Sequence, residues 1–173
     1  MRLFIALPPD TGIRLALEAV RQQLRAQSVT ARYSPPDNWH LTLAFVGETP
    51  RVGAAERALA EAVAAAPTAV AVTLRGFGNF RGHRGDTLWV GAADDPGLTA
   101  LAGAVADALR DHGFDIPKAK FLPHLTIARQ AQAAGAVWVD VPAQTMRPDR
   151  AVLYRSDSVD GRRLYTELAS AAL

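Results

Sequence analysis

A four-residue pattern occurs twice in the chain, as His40-Leu41-Thr42-Leu43 and as His124-Leu125-Thr126-Ile127. Each copy alternates polar and apolar residues, which is typical of a β-strand with one buried face. On such a strand the histidine and the threonine point to one side, and the two apolar residues point into a core. The repeat therefore predicts two similar strands in separate halves of the chain, each presenting one imidazole and one hydroxyl from a rigid element.

The remaining periodicity predicts helices between short strands. Apolar residues at helical spacing predict helices over 11–27, over 51–65 with its end at Pro67, and from Asp94 to about His112. Strands are expected over 3–7, 39–46, 70–74 and 87–91, at the second histidine segment, and as a hairpin of 151–155 with 162–168. Since short turns join several strand pairs, we expect an α+β fold with antiparallel sheets rather than a doubly wound parallel sheet.

Composition narrows the class of protein. The 173 residues, 49% of them hydrophobic, suit one compact domain or two small lobes, and we expect a single domain over 1–173 whose halves face each other across a cleft. The absence of cysteine excludes disulfides, thiolate zinc sites and cysteine nucleophiles. The first apolar run is too short for a signal peptide, and no segment is long enough to span a bilayer, so we expect a cytoplasmic protein with no membrane partner.

Most of the positive charge comes from arginine. Lysine occurs only at Lys118 and Lys120, and the other 17 basic residues are arginines. Arginine binds phosphate through a planar fork of donors, which fits a phosphate-containing ligand. Arginine-rich and alanine-rich usage is equally explained by a GC-rich genome, so this observation alone does not select a function.

The two repeats together can supply acid and base catalysis of a phosphoryl transfer. A neutral imidazole removes a proton from water while a protonated one donates to the departing oxygen, and both forms are accessible near neutral pH. Hydroxyls of Thr42 and Thr126 can donate to the non-bridging oxygens, so no metal is required. The competing interpretation is a metal site on His40 and His124, but no carboxylate motif or third histidine accompanies them.

Other candidate features are weaker. The segment 75–85, rich in glycine and arginine, is either a mobile loop over a nucleotide or a hairpin tip, and it lacks the ending of a phosphate-binding P-loop. His83 lies in that segment and is expected to be exposed, whereas His112 is expected at a helix C-terminus, where a positive imidazole favours the helix dipole. No Gly-x-Ser-x-Gly is present to support serine hydrolase chemistry.

Several blocks of the chain resemble one known family. They are Arg2-Leu3-Phe4-Ile5-Ala6, the run from Asn38 to Glu48, the run from Pro123 to Arg129, and Leu153-Tyr154-Arg155-Ser156. Together they resemble the two-histidine phosphoesterase superfamily, and within it the bacterial and archaeal RNA 2',3'-cyclic phosphodiesterases, also called 2'-5' RNA ligases.

This resemblance implies a fold, a reaction and a set of site residues. It implies a bilobal α+β fold of two pseudo-symmetric antiparallel lobes, with helices outside and a catalytic cleft between them. It implies metal-independent hydrolysis of an RNA-terminal 2',3'-cyclic phosphate to a 2'-phosphomonoester without a cofactor. His40 would be the proton donor, His124 the proton acceptor, and Thr42 and Thr126 the phosphate contacts. Ligation would be the same transesterification in reverse.

Further substrate contacts are predicted at three residues. Arg129 could pair with phosphate, although strict alternation from His124 points it away from the site unless the strand bulges. Phe4 could stack a base or lie in the core, and Tyr154 could donate to phosphate or be an ordinary strand residue. The segment from Phe114 to Phe121, with its two lysines, lines an RNA path or forms a solvated loop.

Two alternative functions remain open from the sequence. One is a phosphodiesterase of small cyclic nucleotides or of ADP-ribose cyclic phosphate, and the other is a non-catalytic nucleotide-binding module. Both His-Thr pairs are intact, which favours catalysis over binding alone. We expect a monomer whose partner is RNA with a 2',3'-cyclic phosphate end or a cyclic nucleotide.

Overall fold

The computed structural model describes residues 1–66 and 69–173, which form three helices and nine strands. In chain order the elements are β1 (Arg2–Leu7), α1 (Thr11–Ala26), β2 (Thr30–Tyr33), β3 (Leu41–Glu48), α2 (Val52–Ala65), β4 (Val72–Phe80), β5 (Asp86–Ala92), α3 (Pro96–Asp111), β6 (His124–Gln132), β7 (Thr145–Met146), β8 (Arg150–Val159) and β9 (Arg162–Ala172). A short 3-10 turn, Pro36–Asn38, precedes β3. The α+β class is confirmed, while the expected helix end at Pro67 lies outside the described residues.

The strands form an antiparallel arrangement with the two histidine segments at its centre. The order is β7-β4-β5-β6-β3-β1-β8-β9. Strand β2 lies off this path and pairs with β6 on the edge opposite β5. β3 and β6 meet at one residue pair, Leu41 opposite Leu125. One half of the sheet therefore consists of β7, β4, β5 and β6, and the other of β3, β1, β8 and β9, with one tetrad from each half at the junction.

Helices α1 and α3 begin where an aspartate supplies a cap, whereas α2 begins without a side-chain cap. The Asp10 carboxylate accepts the backbone N–H of Ile13 at 2.8 Å, and the Asp95 carboxylate accepts that of Leu98 at 2.8 Å. Each helix then buries one apolar stripe, which for α1 consists of Ile13, Ala16, Leu17, Val20 and Leu24. This packing covers one face of the sheet and leaves the other face for the site.

Strand β1 shows how the two faces differ. Leu3, Ile5 and Leu7 belong to the hydrophobic core that the helices complete, whereas Phe4 and Ala6 lie outside that cluster. Because side chains alternate along a strand, Phe4 and Ala6 point to the opposite face. We call this second face the cleft face.

The segment 75–85 is mostly strand, so its prediction as a loop was wrong. β4 continues to Phe80, and only the residues between β4 and β5 form a turn, which confirms the hairpin-tip alternative. The strand was not predicted because glycine has low strand propensity. Gly78 is nevertheless required in this strand by the way its neighbour packs. A Cβ at Gly78 would collide with the indole ring of Trp89, its partner across the strands.

Candidate active site

Both tetrad histidines are held by the same backbone device. The Nδ1 of His40 lies 2.7 Å from the carbonyl oxygen of Asn38, and the Nδ1 of His124 lies 2.8 Å from that of Leu122, two residues earlier in each case. A carbonyl oxygen only accepts, so each Nδ1 carries the hydrogen and donates it. The other ring nitrogen, Nε2, is then free in each imidazole to accept or donate a proton.

The strand pairing brings the tetrads together. Leu41 faces Leu125 in antiparallel register, so His40 lies beside Thr126 on the neighbouring strand and Thr42 lies beside His124. All four side chains share the cleft face because Leu41 and Leu125 are fully buried on the other side. The structure thus places two imidazoles and two hydroxyls from distant parts of the chain around one point.

Aromatic rings enclose His40. The ring of Phe4 lies 4.8 Å from the imidazole, centroid to centroid, and the ring of Tyr165 meets it edge-on at 5.3 Å. Phe4 is itself stacked by Tyr154 at 5.2 Å and is only 3% exposed. Phe4, one of the predicted base contacts, therefore packs against His40 with no open face. Tyr165 was not predicted from the sequence, since it lies far from both tetrads along the chain.

A different pair of aromatic rings borders His124. Phe80 meets the imidazole edge-on at 5.2 Å, and the indole of Trp89 lies 5.9 Å away. Trp89 is also the β5 partner of Thr126. Neither residue was singled out in the sequence, because Phe80 lay within the predicted loop and Trp89 in a strand without a motif.

Enclosure changes the protonation of His40. Burial lowers the pKa of His40 to about 4, although the bond to the Asn38 carbonyl opposes the change. The charge of Arg129 lowers the pKa of His40 further by a smaller amount, and so does repulsion from His124. In the free protein, His40 is therefore a neutral imidazole at pH 7.

Arg129 lies on the cleft face, because β6 contains an extra residue. Trp89 pairs with Thr126 and Leu88 with Ala128, so Ile127 has no partner of its own on β5. Ile127 and Ala128 are consecutively buried, and Arg129 then points out beside His124 and Thr126. Strict alternation would have turned it away, and the bulge is the physical reason that it does not. Its charge acts on His40 across the junction.

The first half repeats this bulge and places an aromatic ring at the equivalent position. Ala6 pairs with Thr42 and Ile5 with Ala44, so Leu43 is the extra residue of β3. Phe45 then follows on the cleft face, opposite Phe4, with ring centroids 6.2 Å apart. Its side chain is 59% exposed. Phe45 stands at the same place after its tetrad as Arg129 does, but it was not predicted because strict alternation from His40 would turn it away from the cleft.

Of the remaining candidates, Tyr154 stacks on Phe4 behind His40, and the others lie away from this centre or support the fold. Tyr154 is half-buried, and burial raises the pKa of its phenol, so the hydroxyl keeps its proton. Phe114 is buried under the Arg51 guanidinium, while Lys118 and Lys120 are exposed. His83 is exposed on the β4–β5 turn, and His112 ends α3 with its Nε2 2.9 Å from Glu61.

Residues 1–66 and 69–173 offer neither a cluster of metal ligands nor a membrane-spanning helix. No group of three or more histidine, cysteine, aspartate or glutamate side chains is arranged to hold a metal ion there. None of the helices described for this chain is long and apolar enough to cross a membrane.

Comparison with known proteins identifies relatives along most of the chain. A family model described as the 2'-5' RNA ligase superfamily matches residues 8–160. A protein of Thermotoga maritima named RNA 2',3'-cyclic phosphodiesterase is 30% identical over 132 residues, which is 75% of this chain and 70% of the relative. One of the same name from Archaeoglobus fulgidus is 32% identical over 132 residues, 75% of this chain and 72% of that one.

Solved structures share the fold over nearly the full length. The crystal structure of TT0787 of Thermus thermophilus superposes with a TM-score of 0.85 at 26% identity, covering 100% of this chain and 98% of that one. E. coli LigT complexed with 3'-AMP gives a TM-score of 0.81 at 28% identity, covering 99% and 97%. The resemblance seen in the motif blocks is thereby confirmed, and the chain belongs to the 2'-5' RNA ligase superfamily.

Proposed function

We propose that the protein hydrolyses the 2',3'-cyclic phosphate at the end of an RNA chain to a 2'-phosphomonoester. The observation that carries this proposal is the convergence of the two His-Thr pairs on one face at the Leu41–Leu125 junction. The matching family model spans both pairs, and the relatives named RNA 2',3'-cyclic phosphodiesterase support the same activity. Because one chain supplies both pairs, we expect a monomer to be active, and the cytoplasmic location stays a prediction.

The reaction needs one proton acceptor and one proton donor. His124 Nε2 takes a proton from water, whose oxygen attacks the phosphorus. The bond from phosphorus to the 3' oxygen breaks, and His40 Nε2 donates a proton to that oxygen. The products are a 3'-hydroxyl and a 2'-phosphomonoester, and one proton has been taken up by one imidazole and released by the other. Thr42 and Thr126 donate to the non-bridging oxygens, on which charge accumulates.

The low pKa of His40 in the free protein bears on its assignment as donor. A donor must be protonated, and His40 with a pKa of about 4 is neutral at pH 7 before substrate binds. The cyclic phosphate carries a negative charge, which raises the pKa of an adjacent imidazole and offsets the cost of burying a cation. Substrate binding therefore favours protonation of His40, which later donates this proton.

Arg129 and Phe45 complete the proposed substrate contacts. Arg129 is exposed beside Thr126 and offers a guanidinium to the phosphate, as its predicted role requires. Phe45 offers an exposed ring on the cleft face, where a nucleobase can stack. Tyr154, whose phenol stays protonated, is available as a hydrogen-bond donor.

The decisive experiment uses an oligonucleotide ending in 2',3'-cyclic phosphate, incubated with the protein in EDTA. The expected product is a 2'-phosphate, identified by its resistance to a 3'-specific phosphatase. His40→Ala and His124→Ala should each lower kcat by about a hundredfold or more while substrate remains bound. His83→Ala, on an exposed turn, is the matched control.

The same assay separates the alternatives. Turnover that survives both histidine substitutions would refute the acid-base assignment, and binding without turnover in the wild-type protein would indicate a nucleotide-binding module. Adding a 5'-hydroxyl oligonucleotide to the cyclic end tests for 2'-5' ligation.

A substrate with sulfur in place of the 3' oxygen assigns the two roles. A thiol has a pKa of about 8.5 and leaves without a proton, unlike an alcohol. His40→Ala should therefore recover most of its lost activity with the sulfur-bridged substrate, whereas His124→Ala should not. The opposite pattern of recovery would make His40 the acceptor.

A further inference from the structure

A second concave region lies at the end of the sheet where His40 is found. A cavity of about 320 Å³ opens between the residues that follow β1, the start of α1 and the segment that leads into β8. Three arginines line it, Arg14 from α1 and Arg147 and Arg150 from the last segment. None of the tetrad residues lies in its wall.

Strand register places this cavity next to His40. Leu7 pairs with Leu41, Pro8 follows Leu7 out of the sheet, and His40 enters it just before Leu41. Pro8, which forms part of the cavity wall, therefore lies at the same end of the β1–β3 pair as His40. Arg14 also donates from Nη1 to the carbonyl oxygen of Pro36 at 2.7 Å, in the turn that leads to His40.

The cavity is also connected to the aromatic floor of the cleft. The charges of Arg150 and Arg14 act on the phenol of Tyr154, where they oppose the rise in its pKa that burial and Glu167 cause. Tyr154 in turn stacks on Phe4, the ring that lies against His40. Two successive ring contacts therefore link His40 to the tyrosine on which the cavity arginines act.

The charges in the cavity leave two guanidinium groups available. Arg150 pairs with Glu167, and one oxygen of Asp10 is occupied in capping α1. The wall also contains Asp149, whose exposed carboxylate is screened by solvent. Within the part of the chain that the structure describes, neither Arg14 nor Arg147 forms an ion pair. Two arginines beside a cavity of this size are suited to a phosphate group, which they bind through paired N–H donors.

We propose that this cavity binds the phosphate on the 5' side of the terminal nucleotide, which is the linkage that joins the reacting end to the rest of the RNA. The proposal rests on the proposed function and refines its substrate class. A nucleoside 2',3'-cyclic phosphate with a free 5'-hydroxyl fills only the cleft, whereas an RNA end or a 5'-phosphorylated nucleotide fills both sites.

The test compares adenosine 2',3'-cyclic phosphate with the same compound carrying a 5'-phosphate. In the wild-type protein, kcat/KM should be about tenfold or more higher for the 5'-phosphorylated substrate, as expected for charge-assisted hydrogen bonds. Arg147→Gln, and the double variant with Arg14→Gln, should bring the ratio of the two values towards one. Arg57→Gln on the exposed side of α2 is the control and should keep the wild-type ratio.

Binding of products keeps the proposal testable without turnover. Adenosine 2'-phosphate with a 5'-phosphate should bind the wild-type protein about tenfold more tightly than adenosine 2'-phosphate, and the double variant should lose this difference. Equal binding of the two compounds, or a difference that survives the double substitution, would overturn the subsite. Inhibition by inorganic phosphate with no preference between the substrates would assign the cavity to a free anion instead. Loss of turnover with the binding difference retained would count against the proposed reaction alone.

Discussion

At the scale of single residues, the two histidines share a backbone bond but differ in their surroundings. Each donates from Nδ1 to the carbonyl two residues earlier, so both present Nε2 to the cleft. This hydrogen bond depends on the tetrad and on the turn before it, and both are visible in the sequence. The rings of Phe4 and Tyr165 that enclose His40 come from the start and the end of the chain. Contacts between such distant residues leave no local signal, so the lowered pKa could not be predicted.

The pKa of His40 predicts a dependence of stability on pH. Unfolded His40 takes up a proton near pH 6.5, whereas the folded protein resists protonation until about pH 4. Between these values the unfolded state binds more protons, so the free energy of unfolding falls as the pH decreases from 6.5 to 4. Below pH 4 the contribution of His40 to the free energy of unfolding no longer changes. The expected loss is about 3 kcal/mol, from roughly 1.4 kcal/mol per pKa unit over the shift from 6.5 to about 4.

The variant His40→Gln isolates this contribution, because glutamine does not titrate. Urea unfolding at several pH values between 4 and 7 should show a shallower loss of stability for the variant than for the wild-type protein. His83→Gln, whose site is exposed, serves as the matched control. Parallel curves for wild type and His40→Gln would show that the ring is not enclosed as the structure describes.

At the scale of elements, the bulges decide which side chains reach the cleft. Each tetrad predicts its first two cleft-face positions by alternation, but the extra residues Leu43 and Ile127 reverse the alternation afterwards. Bulges have no dependable sequence signature when both flanking residues are apolar. The sequence therefore identified Thr42 and Thr126 but left the side of Arg129 open and overlooked Phe45.

Gly78 in β4 has a structural role that a substitution can test. A side chain at Gly78 would collide with the indole of Trp89, which borders His124 and pairs with Thr126. Gly78→Ala should lower the free energy of unfolding by about 1–3 kcal/mol, the usual cost of overpacking. It should also reduce kcat/KM, because Trp89 must shift from its position beside His124.

Gly103 provides the matched substitution for Gly78→Ala. It lies exposed in α3, and a Cβ there would have nothing within 4 Å. Gly103→Ala should raise stability by about 0.5–1 kcal/mol through helix propensity and leave turnover unchanged. If Gly78→Ala matched Gly103→Ala in both measurements, the packing of Trp89 over the glycine would not matter for the site.

At the scale of the whole molecule, the two halves of the sheet meet at one residue pair and again at the tip of a hairpin. The turn between β8 and β9 reaches the other half, where Arg32 of β2 donates to the carbonyl oxygen of Gly161 at 2.7 Å. Asn38, whose carbonyl holds His40, donates from its side chain to the carbonyl oxygen of Arg163 at 2.9 Å. The sequence predicted the hairpin and its turn, but the pairing across the cleft depends on how the whole sheet curves.

The Arg32 bond across the cleft and the Asn38 bond within one half hold Tyr165 against His40, since Tyr165 lies on β9 just after the hairpin tip. Arg32→Ala removes one of the bonds, which is worth about 0.5–1.5 kcal/mol and so raises the open population of the tip roughly threefold to tenfold. Hydrogen exchange of residues 159–163 should accelerate by that factor, and kcat/KM should fall severalfold because the ring packing on His40 loosens. Arg57→Ala, remote on α2, should change neither quantity. Unchanged exchange at the tip in Arg32→Ala would mean that the hairpin is held by its own strand pairing and that the bond from Arg32 does not stabilise it.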